Sequence, residues 1–429
     1  MGKEIIAHVL ATGDELMSGS LADTNSAHIA RELLGTGIRP SRFISVGDDL
    51  EALTAAILET AANADVAVVT GGLGPTEDDM TSRAAARAAG VSLALDPEAL
   101  AWIEKLFSMM GRPMGESNRR QAYLPQGAER LDNPYGTAPG FAMTISGCRM
   151  FFVPGVPREM KNMLAEQVLP RLRKLFRGLA GAYGKKVIST FGQPEAWVGE
   201  QTADIPGLVP GIRVGLRAHF PVIDLVFYAN ADDESGVASA LSRATELARQ
   251  RFPDIIYSEK GDSLAHSALS LLKEQGCTLA IAESCTGGLI SHMITQVPGS
   301  SESFLLSCVT YHNEAKQKVL GVSIETLARF GAVSEECARE MAEGVKRISG
   351  ASYGLSTSGI AGPSGGSPEK PVGTVCIAIS GPNGTFGRKL AFNFGDRERN
   401  KIIFACAALE LLRRSLLGMP LYLARENRI

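Results

Sequence analysis

A hydroxyl and an amine suited to acyl-transfer chemistry occur in the last third of this 429-residue chain. Ser284 lies in Ala282–Gly288 (Ala-Glu-Ser-Cys-Thr-Gly-Gly), between the apolar run Cys277–Ile281 and a helix-like segment. A hydroxyl on a strand-to-helix turn is exposed to substrate, and the N–H groups that follow face the group it attacks. Lys316, which follows Ser284 by 32 residues, supplies an amine as the candidate base. The pattern predicts a hydrolase-like site.

Residue types alone leave the nucleophile and the base open. Cys285 is adjacent to Ser284 and is the intrinsically more reactive group. The six histidines include no recognisable partner for a serine-based triad, which leaves an amine as the base. Lys316 must be neutral to accept a proton, so burial or a neighbouring cation must lower its pKa. In the alternative interpretation, Ser284 only caps a helix and Lys316 is a surface charge.

A glycine-rich loop with two carboxylates forms a second candidate site, nearer the beginning of the chain. The segment Gly71–Thr81 (Gly-Gly-Leu-Gly-Pro-Thr-Glu-Asp-Asp-Met-Thr) follows an apolar strand-like run. Glycines let the backbone approach an anion closely, and adjacent carboxylates suit coordination of a cation such as Mg²⁺. A phosphate beside a carboxylate needs a cation between them, so we predict metal-assisted phosphate chemistry. The alternative is a glycine turn followed by a helix cap.

Three further carboxylates are expected beside this loop. Two follow the first strand-like run and one follows another, and parallel strands would bring both ends to the same edge of a sheet. Asp48 or Asp49 could instead cap the helix that begins at Leu50. The predicted metal ligands are Asp14, Glu15, Asp48, Asp78 and Asp79.

The alternation of strand-like and helix-like segments predicts an α/β protein. Two three-layer domains with mostly parallel sheets, residues 1–169 and 258–420, are joined by a small α+β domain, residues 170–257. The expected strands of the first domain are Glu4–Leu10, Ser41–Val46, Asp65–Thr70 and Arg149–Val153. Those of the last domain are Leu279–Ala282, Ser307–Tyr311, Tyr353–Ser358 and Thr374–Ser380.

The middle segment carries a glycine pair that superficially matches an RNA-binding clamp. Gly178 and Gly181 have the spacing of the clamp loop of KH domains. That loop joins two helices, whereas a strand signal follows here, so a helix C-cap explains the glycines better. The basic residues of 171–186 predict a solvated face, and no nucleic-acid partner is expected.

Composition excludes several classes of protein. The chain is 45% apolar and 21% charged, and its net charge of −3 gives no electrostatic reason to expect nucleic acid or an anionic membrane as a partner. No apolar run approaches the roughly 18 residues of a membrane span. Seven cysteines without a C-x-x-C pair, and no basic leader before Ile5–Leu10, predict reduced thiols and a cytoplasmic location.

Several motifs resemble those of the CinA family, over essentially the whole chain and in the family's domain order. The segments similar to its N-terminal domain, which has a fold like the molybdopterin-binding MoaB/MogA proteins, are Gly13–Leu16, Gly71–Thr81, Gly136–Phe141 and Pro154–Met160. The segments similar to its C-terminal nicotinamide-nucleotide deamidase domain are Glu283–Gly288, Tyr311–Lys316, Gly331–Glu335 and Thr357–Gly366. A small KH-like unit lies between the two.

The resemblance implies two hydrolases that recycle by-products of NAD. The C-terminal domain would convert nicotinamide mononucleotide to nicotinic acid mononucleotide and ammonia without a cofactor. Ser284 would be its nucleophile and Lys316 its base, and Tyr311 would relay or orient the proton. The N-terminal domain would hydrolyse ADP-ribose to AMP and ribose 5-phosphate with Mg²⁺, Mn²⁺ or Co²⁺, and K⁺ is a further candidate cation. A homodimer is also expected.

The resemblance further implies which residues contact the nucleotides. In the C-terminal domain these are Glu283, Thr286, Gly287, Gly288, Asn313, Ser358, Gly359, Gly362 and Arg397. In the N-terminal domain they are Gly71, Gly72, Gly74 and Thr76. Because a fold does not fix a function, the N-terminal domain could instead bind a pterin or a partner without turnover. A competence-associated interaction protein is the remaining alternative.

Two positions depart from the family's pattern. His312 lies where the family often has Ser, which places a larger, titratable ring next to the site. Lys401 lies where the family usually has Arg, so a bidentate phosphate contact would become a point contact. Neither departure affects Ser284 or Lys316.

Overall fold

The computed structural model describes residues 5–177, 181–392 and 394–421. The chain divides into two compact units, residues 1–184 with 229–240 and residues 185–228 with 241–429. Parallel strands and helices alternate in both the first and the last part of the chain, which confirms the mixed α/β class. The domain boundaries at 169/170 and 257/258 stay a prediction. The predicted C-cap at Gly178 lies outside the described residues.

The first part of the chain contains a six-stranded sheet of order β2-β1-β3-β8-β7-β6. Its strands, with the short pair β4–β5, are β1 Ala7–Thr12, β2 Pro40–Val46, β3 Val66–Thr70, β4 Leu93–Leu95, β5 Tyr123–Pro125, β6 Glu129–Leu131, β7 Gly140–Ile145 and β8 Cys148–Val153. The helices are α1 Asp14–Met17, α2 Thr24–Leu34, α3 Leu50–Asn63, α4 Thr81–Ala89, α5 Pro97–Met109, α6 Glu116–Arg119, α7 Pro157–Met163 and α8 Leu169–Leu175.

Burial on both faces explains the apolar composition of the central strands in this sheet. Every residue of β1 and β3 is buried, as expected for parallel strands covered by helices on both sides. Residues of α2, α7 and α8 pack in one core cluster, and residues of α3 and α4 pack in the other. The three-layer arrangement is therefore present. β7 is antiparallel to β8 because the two-residue turn Ser146–Gly147 joins them, and β6 is antiparallel to β7.

The middle of the chain forms a four-stranded sheet of order β10-β11-β9-β12. The strands are β9 Ala182–Phe191, β10 Ile212–His219, β11 Val222–Ala231 and β12 Ile256–Ser258, and the helices are α9 Glu195–Thr202, α10 Ile205–Leu208 and α11 Glu234–Arg251. Of the basic residues that precede this sheet, Arg171 donates to the Glu129 carboxylate at 2.7 Å and to the Gln167 carbonyl at 2.8 Å. Arg171 thus uses its guanidinium for hydrogen bonds within the protein.

The last part of the chain forms a five-stranded sheet of order β14-β13-β15-β16-β17. Its strands are β13 Leu279–Glu283, β14 Phe304–Val309, β15 Tyr353–Gly359, β16 Thr374–Gly381 and β17 Gly384–Ala391. Its helices are α12 Leu264–Glu274, α13 Leu289–Thr295, α14 Asn313–Ala315, α15 Ile324–Phe330, α16 Glu335–Ser349 and α17 Arg397–Leu416.

This sheet is less parallel than expected, because only β14, β13 and β15 run parallel to one another. β16 and β17 are antiparallel, and the two residues Pro382 and Asn383 that join them are too short for a parallel crossover. Residues of α12, α13 and α17 pack in one cluster and residues of α16 in another. In the described parts of the chain, no helix combines the length and apolar character required to cross a membrane.

Candidate active site

Ser284 is the first residue beyond β13, the middle strand of the parallel trio. The Ser284 N–H donates to the Thr357 carbonyl at 3.0 Å, and the Thr310 N–H donates to the Glu283 carbonyl at 2.9 Å. The end of β13 is thus held from both neighbouring strands. Gly287 and Gly288 follow with φ of +63° and +93°, a conformation in which side-chain-bearing residues are strained. These glycines turn the chain sharply from the strand into α13.

Lys316 lies against Ser284 in the interior of the unit. Its side chain is only 1% exposed, and its Nζ lies 3.1 Å from Ser284 Oγ, 2.8 Å from the Thr310 carbonyl and 3.2 Å from the Tyr311 carbonyl. Burial lowers the pKa of the Lys316 amine because the charged form loses its hydration. Lys316 begins a π-helical turn, Lys316–Leu320. The surface-charge alternative for Lys316 is wrong.

The rival nucleophile, Cys285, is held in its unreactive form. Its side chain is 6% exposed, and burial raises the pKa of the thiol to about 12. The thiolate, which is the nucleophilic form of cysteine, is therefore scarce at neutral pH. Ser284 does not cap α13 either, since Gly288 is the N-cap residue of that helix.

Glu283 accepts hydrogen bonds from the protein itself, whereas the sequence predicted a contact with substrate. It is fully buried, and its carboxylate accepts hydrogen bonds from the N–H groups of Gly288, Ile290 and Ser291 at 2.9, 3.2 and 2.9 Å. These are donors that the first turn of a helix leaves unpaired, and a negative charge there is favoured by the helix dipole. Glu283 therefore fixes α13 to the strand that carries Ser284.

The N–H groups predicted to stabilise an oxyanion are partly occupied. Gly288 donates to the Glu283 carboxylate, and the Gly287 N–H donates to the Ser284 carbonyl at 3.1 Å. The N–H groups of Cys285 and Thr286 donate to no other group within the described ranges. The Thr286 hydroxyl is buried and lies 2.8 Å from the Thr357 hydroxyl. The available donors are thus the two N–H groups that directly follow the nucleophile.

The Tyr311 side chain does not have the expected place in a proton relay. Tyr311 is 63% exposed, and its hydroxyl accepts a hydrogen bond from Arg397 at 3.2 Å. Its backbone carbonyl, not its phenol, contacts Lys316. The difference arises because β14 ends at Val309 instead of Tyr311. Arg397 also donates to the Gly362 carbonyl, so it joins the loop after β14 to the loop after β15.

Three of the predicted binding residues support the backbone. Ser358 is buried and donates to the Ala332 carbonyl at 2.6 Å. A Cβ added at Gly359 would lie 2.6 Å from the Thr374 carbonyl, and one at Gly362 would lie 2.6 Å from the Val372 side chain. These glycines permit close packing. Asn313 is exposed at the start of α14.

Two residues at the start of α17 add polar groups near the site, and only one of them was expected from the sequence. Asn400 is fully buried and donates to the Ala361 carbonyl at 3.0 Å, and its Oδ1 has no hydrogen-bond partner. The Lys401 ammonium lies 3.7 Å from the position a Cβ would occupy at Gly287. No hydrogen bond or ion pair links Lys401 to any group in the described residues. Lys401 was predicted as a phosphate contact, whereas the only signal for Asn400 is its spacing from Arg397.

The glycine loop after β3 is closely packed in the first unit. Gly71 and Gly72 have φ of +107° and +64°. A Cβ at Gly71 would lie 2.5 Å from the Thr12 carbonyl, and one at Gly72 would lie 2.3 Å from Thr81 Oγ1. The loop therefore lies beside the end of β1, at the expected edge of the sheet.

The five predicted metal ligands form separate groups. Asp14 and Asp48 exchange hydrogen bonds, since each carboxylate accepts from the other's backbone N–H at 3.0 Å. Asp79 instead accepts from the N–H and the hydroxyl of Thr76 at 2.9 and 2.6 Å. The Glu15 carboxylate lies beside Gly13, where it would contact a Cβ added to that residue. Asp78 is exposed. Asp49, not Asp48, caps α3 through the Ala52 N–H. Within the described ranges, no three His, Cys, Asp or Glu residues are arranged to hold a metal ion.

A cavity of about 340 Å³ opens beside the glycine loop. Gln121 in its wall has a buried Oε1 without a hydrogen-bond partner. Two arginines, Arg83 and Arg120, and two carboxylates, Glu77 and Asp79, also line the cavity, and Arg120 is ion-paired with Glu77 at 3.2 Å. The loop itself contributes Gly72, Gly74 and Thr76 to the wall. The charges of this lining balance, so the lining suits a polar ligand.

Both halves of the chain match known families. Residues 8–174 match the probable molybdopterin binding domain, and residues 261–416 match the CinA C-terminal domain. The CinA-like protein of Desulfosudis oleivorans is 47% identical over 413 residues, which cover 96% of this chain and all of that protein. The CinA-like protein of Myxococcus xanthus is 41% identical over 414 residues, which cover 96% of this chain and 98% of that protein.

Solved structures overlap with parts of the chain. The competence/damage inducible protein CihA from Agrobacterium tumefaciens is 40% identical, with a TM-score of 0.35, and covers 36% of this chain and 93% of its own. The enzyme MoaB from Thermus is 20% identical, with a TM-score of 0.28, over 41% of this chain and 97% of its own. The full-length relatives at more than 40% identity establish the relationship: this chain belongs to the CinA family.

Proposed function

We propose that the C-terminal site hydrolyses a carboxamide, and that its substrate is nicotinamide mononucleotide. The observation that carries the proposal is the buried Lys316 amine 3.1 Å from Ser284 Oγ, with a pKa lowered by burial. A carboxamide is a poor electrophile, so its hydrolysis needs an activated nucleophile and a stabilised oxyanion. The resemblance of the Ser284 and Lys316 motifs to the deamidase domain of the family supports this substrate.

The contacts of Lys316 suit the neutral amine that the reaction requires. A neutral amine has two N–H donors and one lone pair. The Thr310 and Tyr311 carbonyls, at 2.8 and 3.2 Å, accept the two N–H groups. The lone pair is then available to the Ser284 hydroxyl, which transfers its proton as it attacks.

The reaction proceeds in two stages. Ser284 Oγ attacks the amide carbon while its proton moves to Lys316, and the free N–H groups of Cys285 and Thr286 are placed next to the nucleophile to bind the oxyanion. Protonated Lys316 then donates to the departing nitrogen, which leaves as ammonia, and an ester to Ser284 remains. Water, deprotonated by neutral Lys316, cleaves that ester to the carboxylate and restores the Ser284 hydroxyl. Arg397 and Lys401 supply positive charge for the phosphate.

Ammonia release from nicotinamide mononucleotide tests this proposal. We expect Ser284→Ala and Lys316→Ala each to lower kcat by at least about a thousandfold, because nucleophile and base act as a unit. Cys285→Ala is the matched control at the neighbouring position and should retain activity, since its thiol is protonated. An active Ser284→Ala enzyme or an inactive, folded Cys285→Ala enzyme would contradict the assignment.

We propose a second activity, hydrolysis of ADP-ribose, for the N-terminal segment. The observation that favours it is the polar cavity beside the glycine loop, whose wall carries Arg83, the Arg120–Glu77 ion pair and the unpartnered Gln121 Oε1. The described residues do not fit a metal held by the protein alone, so no step is assigned to one. Magnesium commonly binds through one or two carboxylates together with substrate phosphates, and we propose that a divalent cation enters with the substrate.

Substitution of the glycine loop tests this second proposal. Gly72→Ala would place a Cβ 2.3 Å from Thr81 Oγ1 at a φ of +64°, so the loop must shift and ADP-ribose turnover should fall at least about tenfold. Gly90→Ala is the matched control, because Gly90 has a φ of +68° but no atom within 4 Å of the added Cβ. Equal turnover in the two variants would contradict a role for the loop, and binding of ADP-ribose without turnover would favour the binding-module alternative.

A further inference from the structure

A second cavity, of about 650 Å³, lies within the unit formed by residues 185–228 and 241–429. Its walls come from the end of β9, the β10–β11 hairpin, the end of β17 and the start of α17, and they include neither Ser284 nor Lys316. Apolar side chains dominate, and the charged residues are Glu195, Lys389 and Arg399. Small-molecule sites have this size and this composition, with a few polar groups in an apolar lining.

An arginine and two phenylalanines form the centre of this cavity. The Arg399 guanidinium carbon lies 4.4 Å from the centre of the Phe220 ring and 5.7 Å from that of Phe394. The two rings meet edge to face, with centroids 4.8 Å apart. Both rings are only half-buried. Phe394 also stacks on Phe392, with centroids 6.5 Å apart, and the part of each ring that stays accessible can pair with a further aromatic ring.

The hydrogen-bonding capacity of Arg399 is unused. Its backbone N–H is held by the Asp396 carboxylate at 2.8 Å, but its guanidinium donates to no group within the described ranges. The Lys389 ammonium uses one donor, on the Glu369 carbonyl at 3.0 Å. The lining holds two positively charged residues and one negatively charged residue, Glu195. The lining therefore favours an anion, and a guanidinium binds carboxylate or phosphate through two parallel hydrogen bonds.

We propose that this cavity binds a planar aromatic anion, that is, an aromatic ring that carries a carboxylate or a phosphate. The ring stacks against Phe220 and Phe394, and the anionic group binds Arg399 and Lys389. The first turn of α17 then serves two sites, since Arg397 and Lys401 border the Ser284 site while Arg399 faces this cavity. The proposal does not depend on the activity of either proposed hydrolase.

Calorimetric titration of the full-length chain tests the proposal with two anions and their neutral counterparts. The probes are nicotinate against nicotinamide, for a carboxylate, and uridine 5′-monophosphate against uridine, for a phosphate. We expect at least one anion to bind about tenfold more tightly than its neutral counterpart, because charged hydrogen bonds are about twice as strong as neutral ones. The anion that binds identifies the acidic group.

Substitutions locate the bound anion. Arg399→Gln and Phe220→Leu should each weaken its binding at least tenfold, and thermal unfolding checks that the variants remain folded. Arg329→Gln is the matched control, because Arg329 also lies over a phenylalanine ring, Phe330, at 5.0 Å but outside the cavity. No binding of either anion, equal binding of the anionic and neutral probes, or unchanged affinity in both cavity variants would overturn the proposal.

Discussion

At the scale of single residues, the burial of Lys316 links structure to a measurable pH dependence. The amine lies next to Ser284, and burial lowers its pKa below the ordinary 10.5. Only the neutral form accepts the Ser284 proton, so we expect kcat/KM for deamidation to rise with pH and to level off below 10.5. The measurement is the pH profile of ammonia release at low substrate concentration.

His312 provides the control for this profile, because it is another titratable group near the site. It caps α14, and its Nδ1 accepts from the Glu314 N–H at 3.4 Å. If Lys316 sets the profile, His312→Ser should leave its midpoint unchanged. A midpoint that moves with this substitution would assign the titration to His312 instead.

The same pKa predicts how stability changes with pH. The unfolded chain binds a proton at Lys316 up to a higher pH than the folded chain does, so the free energy of unfolding rises with pH between the two pKa values. Lys316→Met removes this dependence. We expect the unfolding free energy of the natural chain, measured by urea denaturation relative to Lys316→Met, to increase as the pH is raised toward 10.5. A decrease would mean that Lys316 is charged in the folded protein.

At the scale of elements, Glu283 holds the beginning of α13 and thereby the turn that carries Ser284. Glu283→Gln removes the negative charge and one acceptor, so we expect a loss of about 1 to 2 kcal/mol in unfolding free energy and a lower kcat. Ser263→Ala is the control, because Ser263 caps α12 through the His266 N–H at 3.1 Å and lies outside the site. It should cost about 1 kcal/mol without changing kcat. Equal kcat in both variants would contradict the positioning role of Glu283.

Sequence patterns predicted the short, mostly apolar strands, and they failed at a long helix whose burial leaves no polar face. The runs that form β1, β3 and β13 are short and mostly apolar, and each was expected as a strand. α17 was not predicted as a helix, because its buried residues occur on all sides and leave no polar face to reveal a helical period. The positions of Arg397 and Lys401 on one helical turn therefore became apparent only from the structure.

In the candidate site, residue types predicted some features, whereas others depend on where the strands end. Ser284 and Lys316 were predicted because turn chemistry and the need for a base depend on residue type. The cap formed by Glu283 and the outward position of Tyr311 depend on where β13 and β14 end, and strand ends are poorly defined by composition. The five carboxylates were expected together because sheet topology places them at one edge, but hydrogen bonds to nearby backbone groups separate them.

At the scale of the whole molecule, the two candidate hydrolytic sites belong to different compact units. The first unit has its own core clusters, and so does the unit that carries Ser284. Substitutions at sites without shared partners usually act independently. The homodimer stays a prediction, since only a single chain is described.

This separation predicts that removal of metal ions affects one activity alone. The polar groups around Ser284 are an amine, hydroxyls and backbone groups, and the Glu283 carboxylate is occupied by α13. In contrast, the proposed hydrolysis of ADP-ribose would use a divalent cation that enters with the substrate and neutralises the pyrophosphate. We expect EDTA to abolish AMP formation by the full-length chain, Mg²⁺, Mn²⁺ or Co²⁺ to restore it, and ammonia release to continue throughout.

Ser284→Ala is the reciprocal control, since it should lose ammonia release and keep AMP formation. AMP formation that persists in EDTA would contradict the requirement for a metal, and loss of both activities in either experiment would contradict their independence.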